Sequence, residues 1–320
     1  MKIKNEKGSV TILFALLITV IIGFVGLAVD FGYAVLKDLQ LTNAIDAATL
    51  AGAQDLDGTT DTTTAKLTAE AYLQKNGIDS STVTITFPDD NKSIRLVSNN
   101  TVNNRFMKLL GINTTGIGAS AKATIGPTGA VNRGLRPFGI VIDDLDDEEG
   151  VWDIEQYAEI IMKIGDPTDD DWGSGNLGIL SLGGGGSDIL EDNILDGYNG
   201  TVSIGDELDT QPGNGIVSLK KEINDLFATE AEVEITETNA NELESSVRMW
   251  AVPVIETFVD ATGRDVVRVK GFAMLYVEDI DFTGVHTTIT GRFVTRINEG
   301  DPVLDGSIED YGAKSVKLVK

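Results

Sequence analysis

The stretch GSVTILFALLITVIIGFVGLAVDFG, residues 8–32, decides how the rest of the chain is read. From Val10 to Val29 it runs twenty residues without a charge. At about 1.5 Å of rise per residue, a helix of that length spans the roughly 30 Å of a bilayer's hydrocarbon. A secretory signal has a shorter apolar region, about 7–15 residues, and a small-x-small cleavage site after it. Here the apolar run passes straight into VDFGYAVLKDLQ (29–40), so a retained transmembrane helix is expected over 10–29. Lys2, Lys4 and Lys7 with Glu6 give the preceding residues a net charge of +2. The positive-inside bias then makes residues 1–9 a cytoplasmic basic head and places everything after Val29 outside the cytoplasmic membrane.

Beyond the span, DFGYAVLKDLQLTNAIDAATLAGAQDL has no Pro and repeats apolar residues at helical spacing: Val35 and Leu39, then Ile45, Ala48 and Leu50. Its later turns are rich in alanine (Ala44, Ala47, Ala48, Ala51, Ala53), which lets another backbone approach closely. One continuous helix of about 45 residues is expected, half in lipid and half packed on a globular head. The polar run DGTTDTTT (57–64) breaks it, and AKLTAEAYLQKNG (65–77) reads as a second helix stopped at Gly77. TVTITF (82–87) and KSIRLVSN (92–99) read as a hairpin about PDDN, followed by a short helix over 103–111 and a strand over 115–126.

PTGAVNRGLRP (127–137) reads as a linker, which gives an α+β domain over 30–126 and a second, β-rich α+β extracellular domain over 138–320. In the second domain, strands are expected at FGIVID (138–143), QYAEIIMKIG (156–165) and NLGILSLG (176–183), with alternating β segments from Val247 to the end. Helices are expected at SDILEDNILDGY, capped by Ser187 or Asp188, and at PGNGIVSLKKEINDLF (212–227).

The net charge of −25 leaves −27 on residues 8–320, a surface expected to repel nucleic acid and anionic lipid. Cysteine is absent, so the exterior folds by burial alone, and His286 is the one histidine. Thiol catalysis, Cys-type zinc sites and most hydrolase arrangements are thereby removed. No enzyme and no cofactor is expected.

The segment GSVTILFALLITVIIGFVGLAVDFGYAVLKDLQLTNAIDAATLAGA (8–53) resembles the TadE/TadG-like pilus-assembly family, in particular its TadG-type amino-terminal segment. The likeness is carried by Gly8 after a basic head, the membrane exit GLAVDFG (26–32) and LQLTNAIDAATLAGA (39–53). The resemblance implies a single-pass protein of the tight-adherence (Flp) pilus system, an assembly factor or minor pilin-like component whose αββαβ head is pilin-like. Its implied partners are the lipid bilayer, other Tad-type assembly or pilin proteins, and further copies of itself. Precursors cut by a prepilin peptidase carry Glu five residues after the Gly. Here that position is Leu13, which argues against a main fibre subunit and also against cleavage at Gly8, the candidate processing position.

Ala15, Thr19 and Gly23, four residues apart, form a small-residue ridge that suits a partner helix. Asp30 falls at the helix exit, where its carboxylate is expected to hydrate or to pair with a basic neighbour. Asp143, Asp144, Asp146 and Asp147, with Asp169, Asp170 and Asp171, form two acidic loops. Calcium takes six to eight oxygens from such loops, although the spacing does not fit a helix–loop–helix calcium site. GGGGSD (183–188) reads as a turn and not as a phosphate loop, because the Lys-Ser or Lys-Thr is missing. The reading is a membrane-anchored, non-enzymatic pilus-assembly protein. The alternatives are a self-polymerising filament subunit and a calcium-dependent surface adhesin.

Overall fold

The computed structural model describes residues 7–56, 61–141, 159–164, 178–211, 215–230, 233, 235–236, 243, 245–258, 261, 264–282, 287–298 and 300–319. Two compact units are present, residues 1–124 with 318–320, and residues 125–317.

In the first unit, α1 (Lys7–Gln54) is one unbroken helix of 48 residues. Its inner half is bare: Phe14 and Phe24 are more than 60% exposed. From Gly26 outward, a single face is covered. Asp30, Ala34, Leu41, Ala44, Ile45, Ala48 and Ala51 are buried, spaced at the threes and fours that keep residues on one side of a helix. Val35 and Leu39, whose spacing marks the continuation of the helix, lie on its exposed face, because the covered stripe passes through Ala34 and Leu41.

Against the outer half of α1 pack α2 (Thr63–Lys75) and the hairpin of β1 (Val83–Thr86) and β2 (Ser93–Asn103). Ala65, Ala69, Leu73, Ile94 and Leu96 are fully buried. Small residues set how close the helices come: a Cβ on Gly52 would meet the Ala65 carbonyl oxygen and Ile94 Cδ1, each at 2.8 Å. In the β1–β2 turn, Asp89, Asp90 and Asn91 all have positive φ (57°, 52° and 63°). Asp and Asn are the side chains that best tolerate that region.

β3 (Thr114–Val131) pairs antiparallel through residues 114–124 with the whole of β2, from Ser93↔Thr124 to Asn103↔Thr114. This pairing replaces the expected helix over 103–111. Asn103 belongs to the ladder, which leaves a loop at 104–113 containing one 3₁₀ turn, Met107–Leu110, ended by Gly111 at φ 83°. β3 also runs through Val131, so residues 127–131, read as the start of a linker, are strand, and the division between the units falls inside it.

The second unit adds β4 (Glu159–Ile164), β5 (Leu180–Ser181), α3 (Ser187–Leu195), β6 (Val202–Ser203), β7 (Glu207–Thr210), α4 (Gly215–Ser218) and α5 (Lys220–Phe227). It continues with β8 (Met249–Ile255), β9 (Val266–Asp281), β10 (Thr287–Val294), β11 (Arg296–Ile297), β12 (Gly300–Pro302) and β13 (Ala313–Val319). One sheet has the order β4-β10-β9-β7-β5, with β8 also on β9. The carboxy-terminal end of β3 pairs with β6 and β12, and Thr128 Oγ1 meets Ser315 Oγ at 2.8 Å.

β9 is buried on both faces from Gly271 to Val277 and carries two apolar clusters. In one, Phe138 stacks on Trp250 with centroids 5.3 Å apart and planes 6° apart, and the Arg136 guanidinium lies 5.7 Å from the Trp250 ring. Burial pushes Arg136 down to about 10, partly offset by Asp196, and its Nη1 donates to the Ile194 carbonyl at 2.6 Å.

Other expectations change here. FGIVID forms isolated bridges rather than a strand over its described residues, because Gly139 N donates to Gly178 O while Ile140 N donates to Pro253 O, and no single ladder develops. The helix expected over 212–227 is two, α4 and α5, parted at Leu219. The N-cap of α3 is Gly186 and carries no side-chain cap; Ser187 Oγ bonds the Asp188 carboxylate instead.

Candidate functional site

The residues that stand out are those where α1 would leave the bilayer. Gly26 and Asp30 lie one helical turn apart on one face, and the loop 104–113 covers both. Asp30 is only 4% exposed. Its carboxylate accepts the backbone N–H of Arg105 (3.0 and 3.1 Å to the two oxygens), of Phe106 (2.7 Å) and of Met107 (2.7 Å). Three consecutive amides ahead of the 3₁₀ turn would otherwise be unsatisfied, and an acceptor bearing full charge makes such bonds shorter and stronger than neutral ones. Asp30 is therefore shielded from water among the described residues, and its carboxylate ties the loop to α1.

Phe106 rests on Gly26, where a Cβ would come within 2.6 Å of the Phe106 Cβ. Asn104 closes the base of the loop. Its N–H donates to the Asn113 carbonyl (2.9 Å), its Nδ2 donates to the Ile112 carbonyl (3.2 Å), and its Oδ1 accepts the Thr115 hydroxyl (2.9 Å). Held in this way, the loop exposes its apolar tip: Leu109 is 85% exposed and Leu110 74%. On α1, the Tyr33 ring lies between two cations, Arg105 at 5.7 Å and Lys37 at 5.8 Å. The sequence reading missed Gly26, Asn104 and Phe106; the available signal was a Gly one helical turn before the first acid after the span.

Charge is unevenly shared. Residues 30–124 carry eight Lys and Arg against ten Asp and Glu, whereas residues 125–320 carry fourteen against thirty-nine. Within 91–124 there are five basic side chains and no acidic one.

Ala15, Thr19 and Gly23 are exposed on α1. The Thr19 hydroxyl donates to the Ala15 carbonyl at 2.8 Å, and nothing lies within 4 Å of a Cβ placed on Gly23. Gly8 is in the first turn of α1. Asp143, Asp144, Asp146, Asp147, Asp169, Asp170 and Asp171, and also His286, lie outside the described residues. Among the described residues no group of three or more acidic or histidine side chains is placed to hold a metal ion. The glycine-rich turn before α3 has Gly183, Gly184 and Gly186 at φ 74°, 130° and 143°, conformations that explain glycine there without a ligand.

Residues 8–55 match the model of the Tad family, described as Flp pilus-assembly TadE/G-like. No curated protein and no solved structure matches the chain. That match covers the bare amino-terminal half of α1, Asp30 and the packed carboxy-terminal half, so the amino-terminal helix of this protein is similar to the TadE/TadG-like pilus-assembly family.

Proposed function

We propose that the protein is a non-enzymatic assembly factor or minor pilin-like component of a Flp-type pilus, anchored in the cytoplasmic membrane by residues 10–29, with residues 1–9 inside and both units outside. The observation that carries this reading is the continuity of α1. Among the described residues a single helix is long and apolar enough to span the bilayer, and it runs without a break into the packed head, so the head is fixed to the anchor and not merely tethered to it. Val35, Leu36 and Leu39 stay exposed on the side of α1 away from its buried stripe. An apolar helix face outside the lipid suits another helix, whether from a pilin, an assembly protein or a second copy. The ridge Ala15–Thr19–Gly23 lies on the opposite side of α1, in line with Gly26 and Asp30, and would offer a separate helix contact inside the membrane.

The test is intact mass and amino-terminal sequencing of the protein from washed membranes and from sheared extracellular filaments, with protease added to intact cells. The assembly role requires the full-length species in membranes and cleavage of both units from outside. Recovery mainly in filaments would favour the self-polymerising alternative, and a carboxy-terminal half shielded by the cytosol would overturn the topology.

A further inference from the structure

We infer that the loop 104–113 is a second membrane contact, a wedge whose tip, Phe106 with Leu109 and Leu110, sits in the outer leaflet beside α1 and binds anionic lipid head groups through Arg105 and Lys108. The inference rests on the membrane-anchor reading above.

Depth carries the argument. To cross about 30 Å of hydrocarbon, α1 needs about twenty residues, and the charge-free run supplies them only if it is used from Val10 to Val29. Gly26 is then three residues below the outer boundary, about 4–5 Å at 1.5 Å per residue. Phe106 is packed on Gly26, so the loop reaches into the layer that the helix itself occupies. A loop at that level cannot present bare amides to lipid. Here the Asp30 carboxylate takes the amides of 105–107, the Lys108 and Met107 carbonyls accept the Gly111 and Ile112 N–H groups, and Asn104 takes up the Ile112 carbonyl.

The side chains fit the same place. Leu109 and Leu110 project apolar surface that a water-facing turn would not retain, and Arg105 and Lys108 beside them have long stems that let their charges reach the head groups. Tyr33, flanked by Arg105 and Lys37, lies at the depth where aromatic residues gather at membrane interfaces. Charge selects the lipid: the loop 104–113 carries two basic side chains, Arg105 and Lys108, and no acidic one. Each basic side chain near an anionic surface contributes attraction, and the acidic excess lies beyond residue 124.

Because the chain has no cysteine, a single one reports its own position. Leu109→Cys, Lys92→Cys and Phe14→Cys are each labelled with an environment-sensitive fluorophore. They are then reconstituted as full-length protein in phosphatidylcholine vesicles, with and without one-third phosphatidylglycerol and with lipids spin-labelled near the head group. Lys92, exposed at the opposite end of β2, is the control for the head, and Phe14 the control for the span. Quenching at Leu109 at least about twofold above Lys92, and stronger with phosphatidylglycerol, is the expected result. Leu109 unquenched while Phe14 is quenched would overturn the wedge and leave the anchor standing. Phe14 also unquenched would overturn the anchor. Equal quenching at Lys92 and Leu109 would mean that the head lies flat on the bilayer, which also overturns a tip-specific contact. Protection of Leu109 from an aqueous quencher without lipid quenching would assign the tip to a protein partner instead.

Discussion

A Cβ added to Gly26 would stand 2.6 Å from the Phe106 Cβ and 2.7 Å from its Cγ, so the loop 104–113 is seated on α1 only because residue 26 has no side chain. Since the atoms met belong to the root of the ring side chain, rotation about its bonds relieves little. Gly26→Ala is expected to displace the loop, at an overpacking cost of about 1–3 kcal/mol. Gly23→Ala meets nothing within 4 Å and leaves the melting of the head unchanged. Thermal unfolding of the full-length variants in the same detergent compares them directly. Equal melting temperatures would show that Phe106 does not depend on the glycine.

Asp30→Asn tests the other half of the clamp. The amide keeps the shape, but it replaces one oxygen with a donor that faces the three N–H donors of residues 105–107. Amide exchange at Phe106 and Met107 is expected to accelerate at least about tenfold, while amides in the middle of the β2–β3 ladder keep their protection. The melting temperature of the first unit falls by several degrees. Unchanged exchange at those amides would show that the carboxylate's charge is not what holds the loop.

The features that long-range pairing does not touch were the ones legible in the sequence. A charge-free run of twenty residues and a Pro-free continuation specify α1 with no knowledge of its partners. PDDN specifies the β1–β2 turn, because three successive left-handed residues need Asp and Asn. The loop was not legible. NNRFMKLLG has helical spacing, yet Asn103 is claimed by its ladder partner Thr114, a contact fixed by the register of the whole hairpin. The bonding of Asp30 was not legible for the same reason: its amide partners lie some 75 residues away, and a carboxylate after an apolar run looks like a simple boundary with water. In the second unit, Phe138 and Ile140 carry a strand's composition, but they bond to different neighbours.

Phe138→Ala would remove one ring of a stacked pair whose partner, Trp250, is fully buried. A phenylalanine truncated in such a core costs about 3–5 kcal/mol. Guanidinium unfolding followed by tryptophan fluorescence should show a lower midpoint with an unchanged slope. The helical signal of α1 and α2, which belong to the other unit, should melt where it did before. A loss of both signals together would mean that the two units do not unfold separately.

The last prediction concerns acid. The Lys122 ammonium, 2.7 Å from Asp89 Oδ2, and the Ser93 hydroxyl, 2.6 Å from the same oxygen, hold the Asp89 carboxyl below the usual carboxylate range. The unfolded chain, with an ordinary carboxyl near pH 4, therefore takes up its proton first as the pH falls. The stabilisation is complete above that value and is lost as the pH descends through the lowered folded value. Asp89→Asn retains a side chain that tolerates φ 57° and still accepts from Ser93, but it gives Lys122 no charge to meet. Its urea midpoint should lie below that of the parent protein at pH 7, by a small margin because the pair is partly exposed. The two midpoints should converge toward pH 3, as the parent's carboxyl becomes protonated and its advantage disappears. A gap that stays constant between pH 7 and pH 3 would assign the effect to turn geometry and not to the ion pair.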